Sequence, residues 1–291
     1  AASDVYKRQK KECPPPLLSI YFGGGTPSLL TDKELAFLLK TIYENYLVND
    51  RAEITLEANP EDISQKALKG WQRAGINRLS VGLQSFKATD LKWMNRGHST
   101  SQALECIKYA STEGFKNISI DLMYGLPNLS VNEWKKHLRQ ALHPNITHVS
   151  AYCLTVEKGT KLERLVEKGR KIIPDDGLIK QQYELLVSTL KQAGFKQYEV
   201  SSFARDKKYS KHNSAYWKGV SYIGVGPSAH SFQTGYRRWN VASNQKYIQS
   251  IRNKSSFHEG ERLCKKDVWN ELFLTGLRTC LLYTSPSPRD Y

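Results

Sequence analysis

Polar residues able to hold a charged ligand recur at the ends of four apolar runs. LSIYF ends in Gly23, Gly24, Gly25 and Thr26, EITLEA carries Glu57, RLSVGLQS carries Gln84, and NISIDLMYG carries Asp121. Two carboxylates, an amide and a bare stretch of backbone suit a ligand with hydroxyls and a cationic amine. Carboxylates accept hydrogen bonds from both groups, and glycine lets a bulky group approach the chain. Arg96, in NRGHS, adds a guanidinium that can pair with a ligand carboxylate. Singly, each has a plainer reading: a tight glycine turn, helix-capping or ion-paired carboxylates, a solvated arginine. Their shared place at strand ends points to one site, because β/α barrels carry their chemistry at the carboxyl ends of the strands.

The elements that must position these groups are legible from periodicity. LSIYF, EITLEA, RLSVGLQS, NISIDLMYG and HVSAYCL read as strands, with amphipathic helical stretches between them. TDKE, from Thr31 to Glu34, has the capping-box pattern and leads a stripe of Leu35, Leu38, Leu39, Ile42 and Tyr46; SVNE, from Ser130 to Glu133, leads Trp134, Leu138 and Leu142. Gly75, Gly114 and Gly194 stand where a helix ends and a strand begins. This rhythm predicts an α/β fold, a partial parallel β/α barrel over 10–195, in preference to an open doubly wound sheet. From Lys196 the rhythm changes: QYEVSSFA reads as a strand, SKHNSAYWKG as a loop or short helix, YIGVGPSAHSF as a strand entering a turn, and KKDVWNELFLTGLRT as a helix. These define an appended α+β region over 196–280. Residues 1–9 and 281–291 lack periodicity, resemble translated sequencing-adaptor scars, and are set aside. If a first strand is missing, LSIYF presents an unpaired edge prone to association.

Composition narrows the class. In 291 residues, 40% are hydrophobic and 24% charged, with a formal charge of +15. No run of about 18 apolar residues suggests a membrane span, and the basic start lacks the apolar stretch of a secretory signal, so the expected address is the cytoplasm. The positive charge is dispersed through KKHLR, EKGRK and RDKKYSK, which favours a solvated surface over a nucleic-acid site. The five cysteines, Cys13, Cys106, Cys153, Cys264 and Cys280, are too scattered for a disulfide framework or a zinc site.

YFGGGTPSLL, TLEANPEDI, GINRLSVGLQSF, LKWMNRGHS and SIDLMYGLP together resemble consecutive motifs of the radical S-adenosylmethionine proteins related to oxygen-independent coproporphyrinogen III oxidase. The resemblance spans nearly everything between the two scars. It implies that the three glycines leave room for the methionine part of S-adenosylmethionine. It also implies that Gly24, Gly25, Thr26, Glu57, Gln84, Arg96 and Asp121 contact that cofactor, with Cys153 a further contact or else a buried strand cysteine. The family holds a [4Fe–4S] cluster on a Cys-x3-Cys-x2-Cys segment ahead of GGGTP. This sequence has no such triad, and Cys13 stands alone, so no cluster is expected to assemble on it.

Within the family, KHNSAYWKG is similar to the His-Asn-x-x-Tyr-Trp motif of the HemW branch, regarded as heme chaperones, as opposed to the decarboxylating HemN branch. The resemblance implies heme binding at His212, Asn213, Tyr216 and Trp217, with His230 of GPSAHS a second ligand or pocket residue. A neutral imidazole is a competent heme ligand and aromatics can cover a porphyrin face. The competing reading has His212 and Asn213 capping a short helix while Tyr216 and Trp217 pack onto the barrel. His98 reads as structural. The implied function is heme binding and transfer to haem-dependent acceptor proteins, membrane-associated ones included, without nucleic acid. Oxidative decarboxylation of a porphyrinogen and phosphate binding by an ordinary barrel enzyme stand as alternatives.

Overall fold

The computed structural model describes residues 15–169, 173–233 and 235–279; the two end segments expected to be scars, Cys13 and Cys280 lie outside the described residues. The chain divides into two compact units, one made of Ser19–Leu39 and Glu53–Tyr209, the other including Lys40–Ala52 and the residues from Ser210 onward.

The strands are β1 (Leu17–Phe22), β2 (Val48–Ala58), β3 (Arg78–Gln84), β4 (Ile118–Tyr124), β5 (His148–Cys153), β6 (Lys196–Gln197) and β7 (Ser202–Ala204). They form one curled half-barrel sheet in the order β1-β2-β3-β4-β5-β7-β6. The β2–β3, β3–β4 and β4–β5 pairs are parallel, whereas β7 pairs antiparallel with both β5 and β6. Strict alternation along β2 to β5 explains the position of the site. Leu56, Leu79, Val81, Leu83, Ile118, Ile120, Leu122 and Val149 are fully buried on one face, each contributing about 2 kcal/mol of apolar burial. The intervening residues, among them Glu57, Ser80, Gln84, Asp121 and Ser150, fall on the other face.

The intervening helices are α1 (Asp32–Asn45), α2 (Gln65–Ala74), α3 (Ala88–Trp93), α4 (Thr100–Thr112), α5 (Val131–Ala141), α6 (Lys161–Glu167) and α7 (Asp176–Gln192). Both expected capping boxes form. Thr31 and Glu34 exchange N–H···O bonds of 2.9 and 3.3 Å, and so do Ser130 and Glu133. Helix α5 buries Trp134 and Leu138 as its spacing predicts. The stripe on α1 is narrower than expected: Leu35 and Leu39 are buried, but Leu38 is exposed, because burial follows the i, i+4 line. Gly75, Gly114 and Gly194 adopt the left-handed backbone that closes α2, α4 and α7.

QYEVSSFA is a tight hairpin, not one strand. Tyr198 N–H donates to the Ser202 carbonyl (3.1 Å), and the Glu199 carboxylate accepts from Ser201 N–H (3.1 Å), so the side chain turns the backbone there.

The second unit carries α8 (Lys211–Trp217), β8 (His230–Gln233), β9 (Tyr236–Asn240), α9 (Asn244–Arg252), β10 (His258–Arg262) and α10 (Lys265–Arg278), with an antiparallel sheet in the order β10-β9-β8. In YIGVGPSAHSF the order is the reverse of that expected. Tyr222 makes only an isolated bridge to Phe232, the glycine turn follows, and the strand begins at His230. Among the described residues no helix is long and apolar enough to cross a membrane.

Candidate functional site

The carboxyl ends of β2, β3 and β4 and the loop after β1 enclose an open cleft of about 180 Å³. Gly25, Thr26, Glu57, Gln84, Arg96 and Asp121 all line it, so six of the eight residues assigned to the cofactor meet in one place. Gly24 belongs beside them, its N–H lying 3.3 Å from Glu57 Oε2. Cys153 is not among the lining residues. It sits at the end of β5, where a Cβ on Gly125 would come 3.1 Å from its sulfur, and burial raises its thiol pKa.

The three glycines serve different ends. A Cβ on Gly23 would lie 2.6 Å from Tyr21 Cε1 and 3.1 Å from Glu57 Cδ, so the first glycine is required by the protein's own packing, not by a ligand. Gly24 and Gly25 have φ of 72° and 63° with open space where a side chain would be, leaving their backbone bare toward the cleft.

Gln84 reaches the cleft through an unusual backbone. Its φ is 63°, and the β3–β4 register shifts between Val81 and Gln84. A left-handed non-glycine residue costs about 1–2 kcal/mol. Neighbouring bonds hold the turn: buried His98 donates from Nε2 to the Leu83 carbonyl (3.1 Å), and Ser85 Oγ donates to the Asp90 carboxylate (2.9 Å). His98 is therefore structural, and its ring also lies 3.3 Å from Glu61 Oε2. On the same loop, Arg96 Nη1 lies 3.4 Å from Asn59 Oδ1, a long contact that leaves the guanidinium available to a ligand.

Asp121 has its carboxyl pKa pushed up to about 7, first by burial and then by the negative charge of Glu57. A bond from Ser150 and the charges of Arg78 and Arg96 act in the opposite direction. Two carboxyl groups facing one cleft attract a cationic group. Tyr21, which sequence reasoning missed, donates from its hydroxyl to Glu57 Oε1 at 2.7 Å. Its signal was weak in the sequence because an aromatic residue inside a β-prone run reads as core. Asn59 was missed too, although it stands two residues past Glu57 in the same motif.

This donor and acceptor set fits S-adenosylmethionine: carboxylates for an amine and a ribose diol, a guanidinium for a carboxylate, bare backbone for bulk. The residues present do not fit an iron–sulfur cluster. The chain contains no Cys-x3-Cys-x2-Cys segment. Of the described cysteines, Cys106 is buried with its thiol pushed up to about 12, Cys153 is at β5 and Cys264 precedes α10; they form no metal-binding group.

The residues assigned to heme lie in the second unit. His212 is in the first turn of α8, and its ring packs edge-on to Tyr216 at 4.8 Å. Tyr216 packs likewise on Tyr222 at 4.5 Å, and Tyr222 on Phe232 at 6.2 Å. Burial lowers the His212 pKa to about 4, so its imidazole is neutral at neutral pH. The helix cap is Ser210, whose Oγ accepts from Asn213 N–H (3.2 Å), which relieves His212 and Asn213 of that task. Trp217 ends the helix, partly exposed. His230 is exposed and belongs to a different ring pair, with Trp239 at 6.3 Å. Val220, Ile223 and Val225, close in sequence to the aromatic string, are exposed apolar side chains.

The profile of the Radical SAM superfamily matches residues 4–141. The heme chaperone HemW of Haemophilus influenzae is 39% identical over 278 residues, covering 94% of this chain and 71% of that protein. HemW of Bacillus subtilis is 36% identical over 269 residues, covering 91% and 70%. The mitochondrial radical S-adenosyl methionine domain-containing protein 1 of Danio rerio is 42% identical over 214 residues, covering 74% and 48%. The chain spans 48% of that protein and 61% of HemW from Mycobacterium tuberculosis. Among solved structures, coproporphyrinogen III oxidase (HemN) of Escherichia coli superposes with a TM-score of 0.80 at 21% identity, covering 96% of this chain and 67% of that one, a likeness of fold. On these sequence relationships the chain belongs to the HemW-like proteins of the radical S-adenosylmethionine superfamily.

Proposed function

We propose that this chain is the part of a heme-binding and heme-transfer protein that carries both the S-adenosylmethionine pocket and the heme ligand, handing heme to haem-dependent acceptor proteins. The observation that carries the reading is His212, an imidazole kept neutral by burial at the head of the Tyr216, Tyr222 and Phe232 string. A neutral ring nitrogen can bind ferric or ferrous heme without first losing a proton. The exposed apolar residues Val220, Ile223 and Val225 suit contact with a porphyrin face. The names of the HemW relatives support the same reading.

In the half-barrel, Glu57, Asp121, Gln84 and Arg96 would hold S-adenosylmethionine beside Gly24, Gly25 and Thr26. That cofactor would supply an adenosyl group to the pocket, and its reductive cleavage would need a cluster for which this chain has no cysteine triad. The chain's own residues bind and orient the cofactor: the carboxylates take its amine and hydroxyls, and Arg96 takes its carboxylate.

The test is a hemin titration followed at the Soret band, comparing the chain with His212→Ala and His230→Ala. Stoichiometric binding lost only in His212→Ala supports the assignment. Equal binding by all three removes His212 as the ligand. Conversion of a porphyrinogen by a cluster-loaded, full-length relative would favour the decarboxylase reading instead.

A further inference from the structure

We propose that Tyr21 is the positioning residue of the cofactor pocket, fixing the Glu57 carboxylate toward the cleft and so setting the negative field that Glu57 presents to Asp121. The inference rests on the pocket reading above but concerns a residue outside the ligand-contacting set.

Three observations converge. The Tyr21 hydroxyl donates to Glu57 Oε1 at 2.7 Å, while Gly24 N–H approaches the other oxygen, Oε2, at 3.3 Å, so both oxygens of one carboxylate are oriented. The missing side chain at Gly23 is what admits this arrangement, since a Cβ there would meet both the Tyr21 ring and the Glu57 carboxyl carbon. The phenol stays protonated: burial first, and then the charge of Glu57, hold its pKa well above the ordinary phenol value. Tyr21 is thus a permanent donor. A charge-assisted bond of this kind draws density from the carboxylate and restricts its rotamer.

Among the described residues, the following charged and titratable groups act at this contact. Glu57 is the direct partner, Asp121 lies across the cleft on β4, and Arg78 on β3 acts on both Tyr21 and Asp121. Arg96 acts on Asp121 from the loop after α3, and Ser150 on β5 is hydrogen-bonded to it. Without the Tyr21 bond, the Glu57 charge is less dispersed. Asp121, which feels that charge, then keeps its proton to higher pH.

The experiment is carboxyl-carbon NMR titration of the chain labelled at Asp and Glu, without ligand, comparing wild type with Tyr21→Phe. Tyr21→Phe keeps the ring that packs beside Gly23 and removes only the hydroxyl. The Asp121 midpoint is expected to rise by at least half a pH unit, and the shift should vanish in a Glu57→Gln background. An unchanged midpoint overturns the proposal. Calorimetric titration with S-adenosylmethionine is run alongside. Failure of both proteins to bind counts against the pocket reading, while the NMR midpoint still decides the role of Tyr21. Should Tyr21→Phe not fold, the Tyr21 hydroxyl proton is followed by NMR in wild type and Glu57→Gln. A slowly exchanging resonance lost in Glu57→Gln is expected, and its absence from the wild type or persistence in the variant overturns the contact.

Discussion

Gly125 is tied to Gln182 across 57 positions of sequence: its N–H donates to Gln182 Oε1 at 2.8 Å. The same buried amide donates from Nε2 to the Leu129 carbonyl (2.6 Å), and the Gln182 carbonyl accepts from Trp134 Nε1 (2.9 Å). Helix α7 thereby holds the loop after β4, the strand that carries Asp121. Gln182→Leu strips the side-chain partners from two buried backbone groups, so a loss of about 2–4 kcal/mol is expected. Urea unfolding would read it. A loss below about 1 kcal/mol would show that the loop is held by other means.

Gly23 and Gly24 should fail differently. Gly23→Ala forces its Cβ to within 2.6 Å of the Tyr21 ring, an overpacking cost of about 1–3 kcal/mol that Tyr21→Ser should relieve. Gly24→Ala meets no neighbour but must hold φ near 72°, costing about 1–2 kcal/mol whatever stands at position 21. A double-mutant cycle on stability separates the two, and equal coupling in both cycles would refute the distinction.

Asp121 gives the pocket a pH dependence with a definite sign. Its carboxyl pKa is raised to about 7 in the folded protein, against about 3.9 when unfolded. Between those values the folded state binds more protons, so this residue's contribution to stability is fully present near pH 4 and is lost as pH rises through 7. Affinity for a cationic ligand runs the other way and strengthens through the same window. Asp121→Asn should flatten both profiles, measured by denaturation and by calorimetry. Unaltered profiles in the variant would assign the titration elsewhere.

His148 acts in the opposite sense on stability. It is wholly buried between Ser119 Oγ, 2.7 Å from Nδ1, and the Tyr198 hydroxyl, 2.7 Å from Nε2. Burial, then the charge of Arg78, holds its pKa well below the ordinary value. The unfolded histidine binds a proton near pH 6.5, so the stability it contributes is present above that pH and lost below it. His148→Gln should weaken the acid limb of the stability profile. An acid limb of undiminished slope would exclude His148 as its source.

Arg96 should act on ligand binding alone. Its side-chain contact to Asn59 is long, 3.4 Å, so Arg96→Lys is expected to leave the unfolding midpoint nearly unchanged while weakening S-adenosylmethionine binding at least tenfold. Calorimetry and thermal melting read the two effects. A stability loss as large as the binding loss would make the residue structural.

The amino-acid sequence alone determined the order of β1 to β5 and the helices between them, both capping boxes and the four strand ends that carry Glu57, Gln84, Asp121 and the glycines. The reason is local: alternation, caps and left-handed glycines act over a few residues. The ordered motifs also sufficed to place the chain in its family. What only the tertiary structure decided depends on residues brought together from distant positions. Gly23 makes room for Tyr21 and Glu57, contacts no spacing rule could supply. Gln84 enters the cleft through a strained turn held by His98, and Cys153 at the end of β5 lies outside the lining set. QYEVSSFA folds back because Glu199 bonds its own backbone, a competition that a strand-like composition conceals. Alternation dictates which face a side chain takes, but which side chains on that face meet is set by sheet curvature and strand register.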